Sequence, residues 1–186
     1  PDSMAGHGPD LRIGVWIAHP ESRNLAGWSG AVQQLAAHGV SDIFVHLQNG
    51  GTVYFPVQDR DVVTGQTPLR SEDSLDALVR AARRRNVRVH AWVTCWSTEG
   101  ASAAFMARMK GQGRLLASVS GESLPWLDPQ HPANQALLLD GIRALSRRGV
   151  NGIHLDYIRY PDHYTLAKPE AQQAVLSGSA DVITSL

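Results

Sequence analysis

Residues Gly152 to Pro161 read GIHLDYIRYP, and this stretch decides the fold predicted for the chain. Its apolar and polar residues alternate as they do in a β-strand, where successive side chains point to opposite faces. Ile153 and Leu155 are therefore predicted on one face. His154 and Asp156 are predicted on the other, which should also be buried. A buried carboxylate is costly unless it is paired, hydrogen-bonded or used in chemistry, so we predict a function for Asp156.

The same alternation occurs in three earlier stretches. They are Arg12 to Ala18 (RIGVWIA), Asp42 to Gln48 (DIFVHLQ) and Arg88 to Thr94 (RVHAWVT). All four predicted strands share one aliphatic face. The opposite face is rich in polar and aromatic residues: Trp16, Phe44, His46, Gln48, His90, Trp92, Thr94, His154 and Asp156. Parallel strands covered on both sides are usually aliphatic on both, so this polar face is predicted to be the wall of a site.

Amphipathic helices are predicted between the strands, over residues 24–38, 74–85 and 132–148. Each ends in a residue that tolerates a left-handed backbone, namely Gly39, Asn86 or Gly149, and valine follows each of them. The next strand begins almost at once. The pattern predicts α/β units with tight turns from helix to strand.

The connections from strand to helix are much longer. About 25 residues (49–73) follow the second strand, and 37 residues (95–131) follow the third. The latter are predicted to contain a short helix from Ala101 to Met109, a flexible Gly111 to Gly113 segment and a turn from Trp126 to Pro129. Long loops at the carboxyl ends of parallel strands form the active sites of α/β folds, so the site is predicted there.

Composition excludes several function classes. The 186 residues are 43% hydrophobic, with 17 basic and 17 acidic residues, so the chain is expected to form one domain over residues 1–186 and not to bind nucleic acid. No apolar stretch approaches the roughly 18 residues of a membrane span. Residues 1–10 are predicted to be a disordered or trimmed start, and no signal peptide is visible. No cofactor is predicted, and the single Cys95 excludes an intrachain disulfide.

Four segments together resemble the bacterial glycosyl-hydrolase-like 10 proteins. They are GVWI at Gly14 to Ile17, HAW at His90 to Trp92, WLDPQHP at Trp126 to Pro132, and GIHLDYIRYP. The resemblance implies a (β/α)8 barrel that cleaves a polysaccharide, often in the bacterial cell envelope and so outside the cytoplasm. The sequence departs from the family where Gln48-Asn49-Gly50-Gly51 replaces an Arg-Pro pair, so substrate contacts from that loop are not carried over.

The predicted fold class is therefore α/β, of the (β/α)8 TIM-barrel type. From Arg12 to Ile158 the chain uses 147 residues for four strands, and eight would need roughly 290. We expect only the N-terminal half of a barrel, about four β/α units, with one more helix near residues 169–176. Since open sheet edges favour aggregation, such a half is expected to self-associate or to pair with a missing C-terminal half.

Glycoside hydrolysis uses two carboxyl groups on either side of the scissile bond. Asp156 is the predicted catalytic one, and by analogy with barrel glycosidases it would be the acid/base. Its structural alternative is a carboxylate paired with Arg159 or a neighbouring histidine. The second carboxyl group is expected from a later strand. Glu99 and Asp128 are the candidates in the nearby loops, but neither is a compelling catalytic residue.

The other site residues are predicted to bind sugar. Flat rings stack on the apolar faces of pyranoses, while amides and imidazoles bond hydroxyl groups. The predicted substrate-binding residues are Trp16, Gln48, His90, Trp92, His154, Tyr157, Arg159 and Tyr160. Of these, Tyr157 falls on the aliphatic face unless the strand has ended before it. Trp126 either lines the cleft or anchors its loop.

Two alternatives use the same residues. His46, His90, His154 and Asp156 could bind a divalent metal in a metal-dependent hydrolase or deacetylase, although HxH and HExxH spacings are missing. Alternatively, the half-barrel binds glycan without cleaving it, because one carboxylate alone cannot carry out the two-group reaction.

Overall fold

A computed structural model describes residues 12–18, 25–49, 52–53 and 74–161 of the chain. The predicted disordered start at residues 1–10 and the predicted helix near residues 169–176 lie outside the described residues. None of the helices that are described is long and apolar enough to cross a membrane.

The strands and helices alternate along the chain. The strands are β1 (Ile13–Ile17), β2 (Val40–Asn49), β3 (Thr52–Val53), β4 (Arg88–Thr94), β5 (Leu115–Ala117), β6 (Ser123–Leu127) and β7 (Gly152–Asp156). The helices are α1 (Leu25–Ala37), α2 (Ser74–Arg83), α3 (Ala103–Gly111) and α4 (Pro132–Ser146). The four predicted strands and four predicted helices of this region are all present, with ends that differ by a few residues. The largest difference is at the end of β7, because the strand stops at Asp156 and the predicted stretch runs to Pro161.

Four strands form a parallel sheet in the order β1-β2-β4-β7. This is the order of their appearance in the chain, as in a (β/α) barrel. The short β3 folds back and pairs antiparallel with the end of β2. A separate antiparallel pair, β5 and β6, lies in the long connection after β4. The described residues therefore form half of a barrel sheet.

The aliphatic face of this sheet is the core. On β2 and β4 its residues Ile43, Val45, Val89, Ala91 and Val93 are buried to 1% exposure or less. Helices α1, α2 and α4 cover this face with Trp28 and Val32, with Leu78 and Ala82, and with Leu138 and Leu145, respectively. The predicted division into an aliphatic face and a polar face is confirmed for these strands, except at the carboxyl end of β2. The opposite face is half-exposed in the described residues.

The turns from helix to strand have the predicted backbone. Gly39, Asn86 and Gly149 all have positive φ angles, 79°, 55° and 75°. A left-handed residue reverses the chain tightly after each helix, so the next strand starts within a few residues. The long connection after β4, residues 95–131, consequently starts at the other end of the sheet, beyond the carboxyl end of that strand.

The position predicted for Gln48 is wrong. A bulge in β2 pairs His46 with Trp92 but Gln48 with Val93, so Leu47 is an extra residue relative to β4. One extra residue reverses the alternation of faces. Gln48 therefore points to the helix side, where it is 1% exposed and its amide lies against Gly141 of α4. It does not belong to the wall formed by His46 and Trp92.

Candidate active site

Asp156 lies at the carboxyl end of the sheet, as the last residue of β7. Both of its oxygens accept hydrogen bonds. The indole Nε1 of Trp92 donates to Oδ2 at 2.9 Å, and the backbone N–H of Tyr157 donates to Oδ1 at 2.8 Å. The side chain is half-buried and lies on the polar face of the sheet, next to Thr94 in the strand register. Asp156 is thus a fixed carboxylate at the mouth of the half-barrel.

The chain turns sharply directly after Asp156. Tyr157 has φ of +52°, which is a strained conformation for a residue other than glycine. This turn aims the Tyr157 N–H at the Asp156 carboxylate, and it ends the strand before Tyr157 can join the aliphatic face. The Tyr157 ring is 41% exposed and lies 5.7 Å from the ring of Trp126, while the Arg159 guanidinium lies 5.8 Å from its centre.

Trp126 and Tyr160 stand beside this turn but are themselves buried. Trp126 is 3% exposed and Tyr160 is 5% exposed. Trp126 comes from β6, and a backbone bridge from Ser97 fixes that strand to the segment after β4. Burial favours an anchoring role for Trp126. It also keeps most of the Tyr160 ring from contact with a substrate in this conformation.

On the polar face, Trp92 is held between Asp156 and His46. The rings of Trp92 and His46 have centroids 4.4 Å apart, and a hydrogen bond of 3.0 Å joins His46 Nε2 to Thr94 Oγ1. His154, one layer below Asp156, meets the ring of Trp92 edge-on at 6.5 Å and that of Trp16 at 6.1 Å. These rings and Asp156 form one continuous wall.

Trp16 marks the exposed border of this wall. It belongs to the edge strand β1, is 56% exposed and stacks on Phe44 with centroids 4.5 Å apart. A flat, accessible ring of this kind can stack on a sugar or on a neighbouring element of a complete barrel. The groove behind it, about 430 Å³ between β1 and α1, is lined mainly by aliphatic residues.

His90 lies away from Asp156. Its register partner on β7 is Gly152, four residues before Asp156, which corresponds to about 13 Å along the strand. His90 Nε2 donates to Asp42 Oδ1 at 2.7 Å, and its ring stacks on Phe44 at 4.7 Å. In this structure His90 is engaged at the amino end of the sheet, on the same face but at the opposite end from the candidate site.

The amino end is organised by Asp42, a residue that the motif analysis missed. Its carboxylate, 8% exposed, accepts hydrogen bonds from Arg12, Arg88, His90 and Ser41. Although burial acts to raise the pKa of Asp42, the hydrogen bonds and the positive charge of Arg12 outweigh it, so the pKa is lowered. The sequence held a signal for this cluster, because Arg12, Asp42 and Arg88 stand at the starts of three adjacent strands.

Asp128 and Glu99, the loop candidates for a second carboxyl group, differ in their surroundings. Asp128 is 3% exposed, and its Oδ1 accepts the backbone N–H of Gln130 at 3.0 Å. Its backbone carbonyl accepts from Asn134, so it shapes the turn that leads into α4. Glu99 is exposed in a turn, where its N–H donates to Ser97 Oγ. The WLDPQHP segment thus has a clear structural role as the entry to α4.

The geometry does not favour the metal alternative. Across the described ranges, no three His, Cys, Asp or Glu side chains converge as metal ligands would. His90 is bonded to Asp42, and a hydrogen bond joins His46 to Thr94, with the ring of Trp92 beside it. The residues proposed as ligands therefore face different partners at different levels of the sheet.

Comparisons with known proteins agree on the fold. The family model for glycosyl hydrolase-like 10 matches residues 10–175. No curated protein matches the sequence. Among solved structures, a hypothetical protein from Ruminiclostridium thermocellum ATCC 27405 is similar with a TM-score of 0.67 and 16% identity, and the match covers 92% of each chain.

Two enzymes of known name share the fold over part of their length. A chitobiase from Flavobacterium johnsoniae matches with a TM-score of 0.58 and 11% identity, covering 92% of this chain and 25% of the chitobiase. A β-N-acetylhexosaminidase from Bacteroides fragilis NCTC 9343 matches with a TM-score of 0.54 and 11% identity, covering 91% of this chain and 36% of that enzyme. The chain therefore spans about a quarter to a third of these enzymes. The predicted fold class, a partial (β/α)8 barrel, is confirmed.

Proposed function

Because the chain belongs to the glycosyl hydrolase-like 10 family, we propose that it cleaves glycosidic bonds in a bacterial polysaccharide, with Asp156 as a catalytic carboxylate. The observation that carries this proposal is the position of Asp156. It ends a parallel strand on the polar face, and two N–H donors hold its carboxylate at the mouth of the half-barrel. Active sites of (β/α) barrels are built at this end of the sheet.

The hydrogen bonds suggest which carboxyl role Asp156 takes. An indole N–H and a backbone N–H can only donate, so both oxygens of Asp156 act as acceptors. This arrangement suits a base, a nucleophile or a stabiliser of positive charge better than a proton donor. We therefore assign the proton-donating role to the second carboxyl group, in place of the acid/base role that analogy assigned to Asp156.

That second group is proposed to come from the part of the barrel that completes the sheet. Among the described strands, β1 and β7 are the edges of the parallel sheet, so each would gain a neighbour on closure. A catalytic partner on an added strand would face Asp156 across the mouth. The spacing between two such carboxyl groups would decide whether configuration is retained or inverted.

Two exposed aromatic residues are proposed to bind the sugar rings. Tyr157 directly follows Asp156 and is 41% exposed. Trp16 is 56% exposed and lies at the border of the wall, farther toward the amino end of the sheet. Arg159 next to Tyr157, and His154 below Asp156, supply donors for hydroxyl groups. The names of the enzymes that share the fold suggest N-acetylhexosamine polymers as the first substrates to test.

The test is the release of reducing ends from peptidoglycan and from N-acetylglucosamine oligosaccharides by the purified chain. We expect Asp156→Asn to lower kcat by about 10³-fold or more while the circular dichroism spectrum is unchanged. Asp140→Asn is the matched control, because Asp140 is a residue of α4 whose side chain is 43% exposed and paired with Arg143. Its activity should equal that of the wild type.

Two results would contradict the proposal. Turnover by Asp156→Asn at the wild-type rate would remove Asp156 from the mechanism. Oligosaccharide binding without turnover, with the same affinity in Asp156→Asn, would instead favour a non-catalytic glycan-binding half-barrel.

A further inference from the structure

We propose that Trp92 is a positioning residue that sets the orientation of the Asp156 carboxylate, rather than a platform on which sugar stacks. This inference rests on the proposed function, because it assigns a role within the same site. It reinterprets a residue whose type and face alone predicted substrate contact.

The first support is the hydrogen bond itself. Trp92 Nε1 lies 2.9 Å from Asp156 Oδ2, and the indole of tryptophan has this one donor and no acceptor. The one hydrogen-bonding group of the Trp92 side chain is therefore already bonded within the protein. Trp92 and Asp156 come from adjacent strands, β4 and β7, where Trp92 pairs with His154 in the register. The indole thus reaches one layer toward the mouth to meet the carboxylate.

The second support is the packing of the Trp92 ring. His46 lies against it with a centroid distance of 4.4 Å and an angle of 30° between planes, and His154 meets it edge-on. His46 is in turn held by its hydrogen bond to Thr94. A ring held in this way has less freedom to stack on a pyranose, and it can hold a bonded partner in a fixed position.

The third support is the arrangement on the other side of Asp156. The Tyr157 N–H fixes Oδ1, and the left-handed backbone at Tyr157 provides that geometry. With Trp92 on Oδ2, each oxygen has a donor from a different segment of the chain. A carboxylate held at both oxygens cannot rotate freely, and such preorganisation matters because a misplacement of 1 Å can cost about 100-fold in rate.

The experiment compares Trp92→Phe with the wild type. Phenylalanine keeps a flat ring for stacking but lacks the N–H. A positioning role predicts a fall in kcat of about 10- to 100-fold with KM changed by less than about twofold. The control is Trp96→Phe, since the buried indole N–H of Trp96 has no hydrogen-bond partner among the residues that the structure describes. Its kinetics should resemble those of the wild type.

A second readout does not need activity. In ¹⁵N-labelled protein, the indole N–H resonance of Trp92 should shift in Asp156→Asn, because its acceptor changes from a carboxylate to an amide. It should stay in place in Asp140→Asn. This measurement tests the positioning role even if the chain proves inactive on every substrate, so the failure of the proposed function and that of this inference are distinguishable.

Two outcomes overturn the inference. A rise in KM with unchanged kcat in Trp92→Phe would identify Trp92 as a substrate-binding residue. An indole resonance that does not respond to Asp156→Asn would show that the hydrogen bond is not formed.

Discussion

Substituting Gly141 with alanine tests the corrected position of Gln48. Gly141 is buried in α4, and a Cβ built there would overlap Gln48 Oε1 and lie 3.0 Å from both Cδ and Nε2 of the same amide. Because Gln48 is 1% exposed, the amide has little room to move away. The methyl group would therefore overpack the interface between β2 and α4.

The magnitude follows from two opposing effects. Alanine in a helix interior stabilises by about 0.5–1 kcal/mol relative to glycine. Overpacking a dense interface costs about 1–3 kcal/mol. For Gly141→Ala we expect a net loss of about 1–2 kcal/mol in the free energy of unfolding. Gly30→Ala in α1 is the matched control, because no described atom outside the neighbouring helix backbone lies within 4 Å of the added Cβ. It should stabilise by about 0.5–1 kcal/mol.

The assay is urea denaturation followed by tryptophan fluorescence. In a Gln48→Ala background the clash disappears, so Gly141→Ala should become neutral or stabilising, with a coupling energy of about 2 kcal/mol between the two positions. If Gly141→Ala stabilises the wild-type chain as much as Gly30→Ala does, Gln48 does not occupy the helix side. The simple alternation of faces would then hold through residue 48.

Two further predictions concern titratable groups. Asp42→Asn should lower the free energy of unfolding at pH 7 by about 1–3 kcal/mol. The range is kept low because Arg12 and Arg88 are 53% and 38% exposed, and solvent weakens their ion pairs with Asp42. Since the pKa of Asp42 is lowered in the folded state, its contribution is present above the unfolded value of 3.8 and is lost as the pH falls through the folded pKa. The stability difference from the wild type should thus shrink below pH 4, and a constant difference down to pH 2 would contradict this account. Burial raises the pKa of the Cys95 thiol to about 12, so the folded chain should not react with a disulfide reagent at pH 8, whereas the unfolded chain should react at one thiol. Rapid labelling of the folded chain would show that Cys95 is accessible.

The sheet could be predicted from the sequence because its signals are local. Period-two alternation located the four parallel strands, and left-handed residues such as Gly39 and Gly149 located the turns before them. The short helix after β4 was also predictable, and it forms at Ala103–Gly111. These features depend on residues close in sequence, where backbone preferences decide the outcome.

The features that were missed depend on contacts or on single-residue irregularities. A bulge has no distinctive residue in HLQN, and one extra residue sufficed to move Gln48 to the other face. The β5–β6 hairpin was missed although Gly121, with φ of +83°, marks its turn. Its strands are short, and one holds Pro125, so the alternation is too brief to recognise.

The candidate site was predictable in part. Its centre at Asp156 and the nearby rings of Trp92 and His154 follow from their shared face and from the end of the strand. The separation of His90 from Asp156 was not evident, because residues on one face can still lie at opposite ends of a strand. His90 is hydrogen-bonded to Asp42 at the amino end of the sheet. That contact becomes visible only when the neighbouring strands are placed side by side in the structure.

The most direct test of the account is a crystal structure of Asp156→Asn with a bound N-acetylglucosamine oligosaccharide. A glycosidic bond should lie within about 3.5 Å of the side chain at position 156, with a sugar ring against Tyr157. An oligosaccharide bound on the helix side of the sheet, or at the amino end near Asp42 and His90, would contradict it.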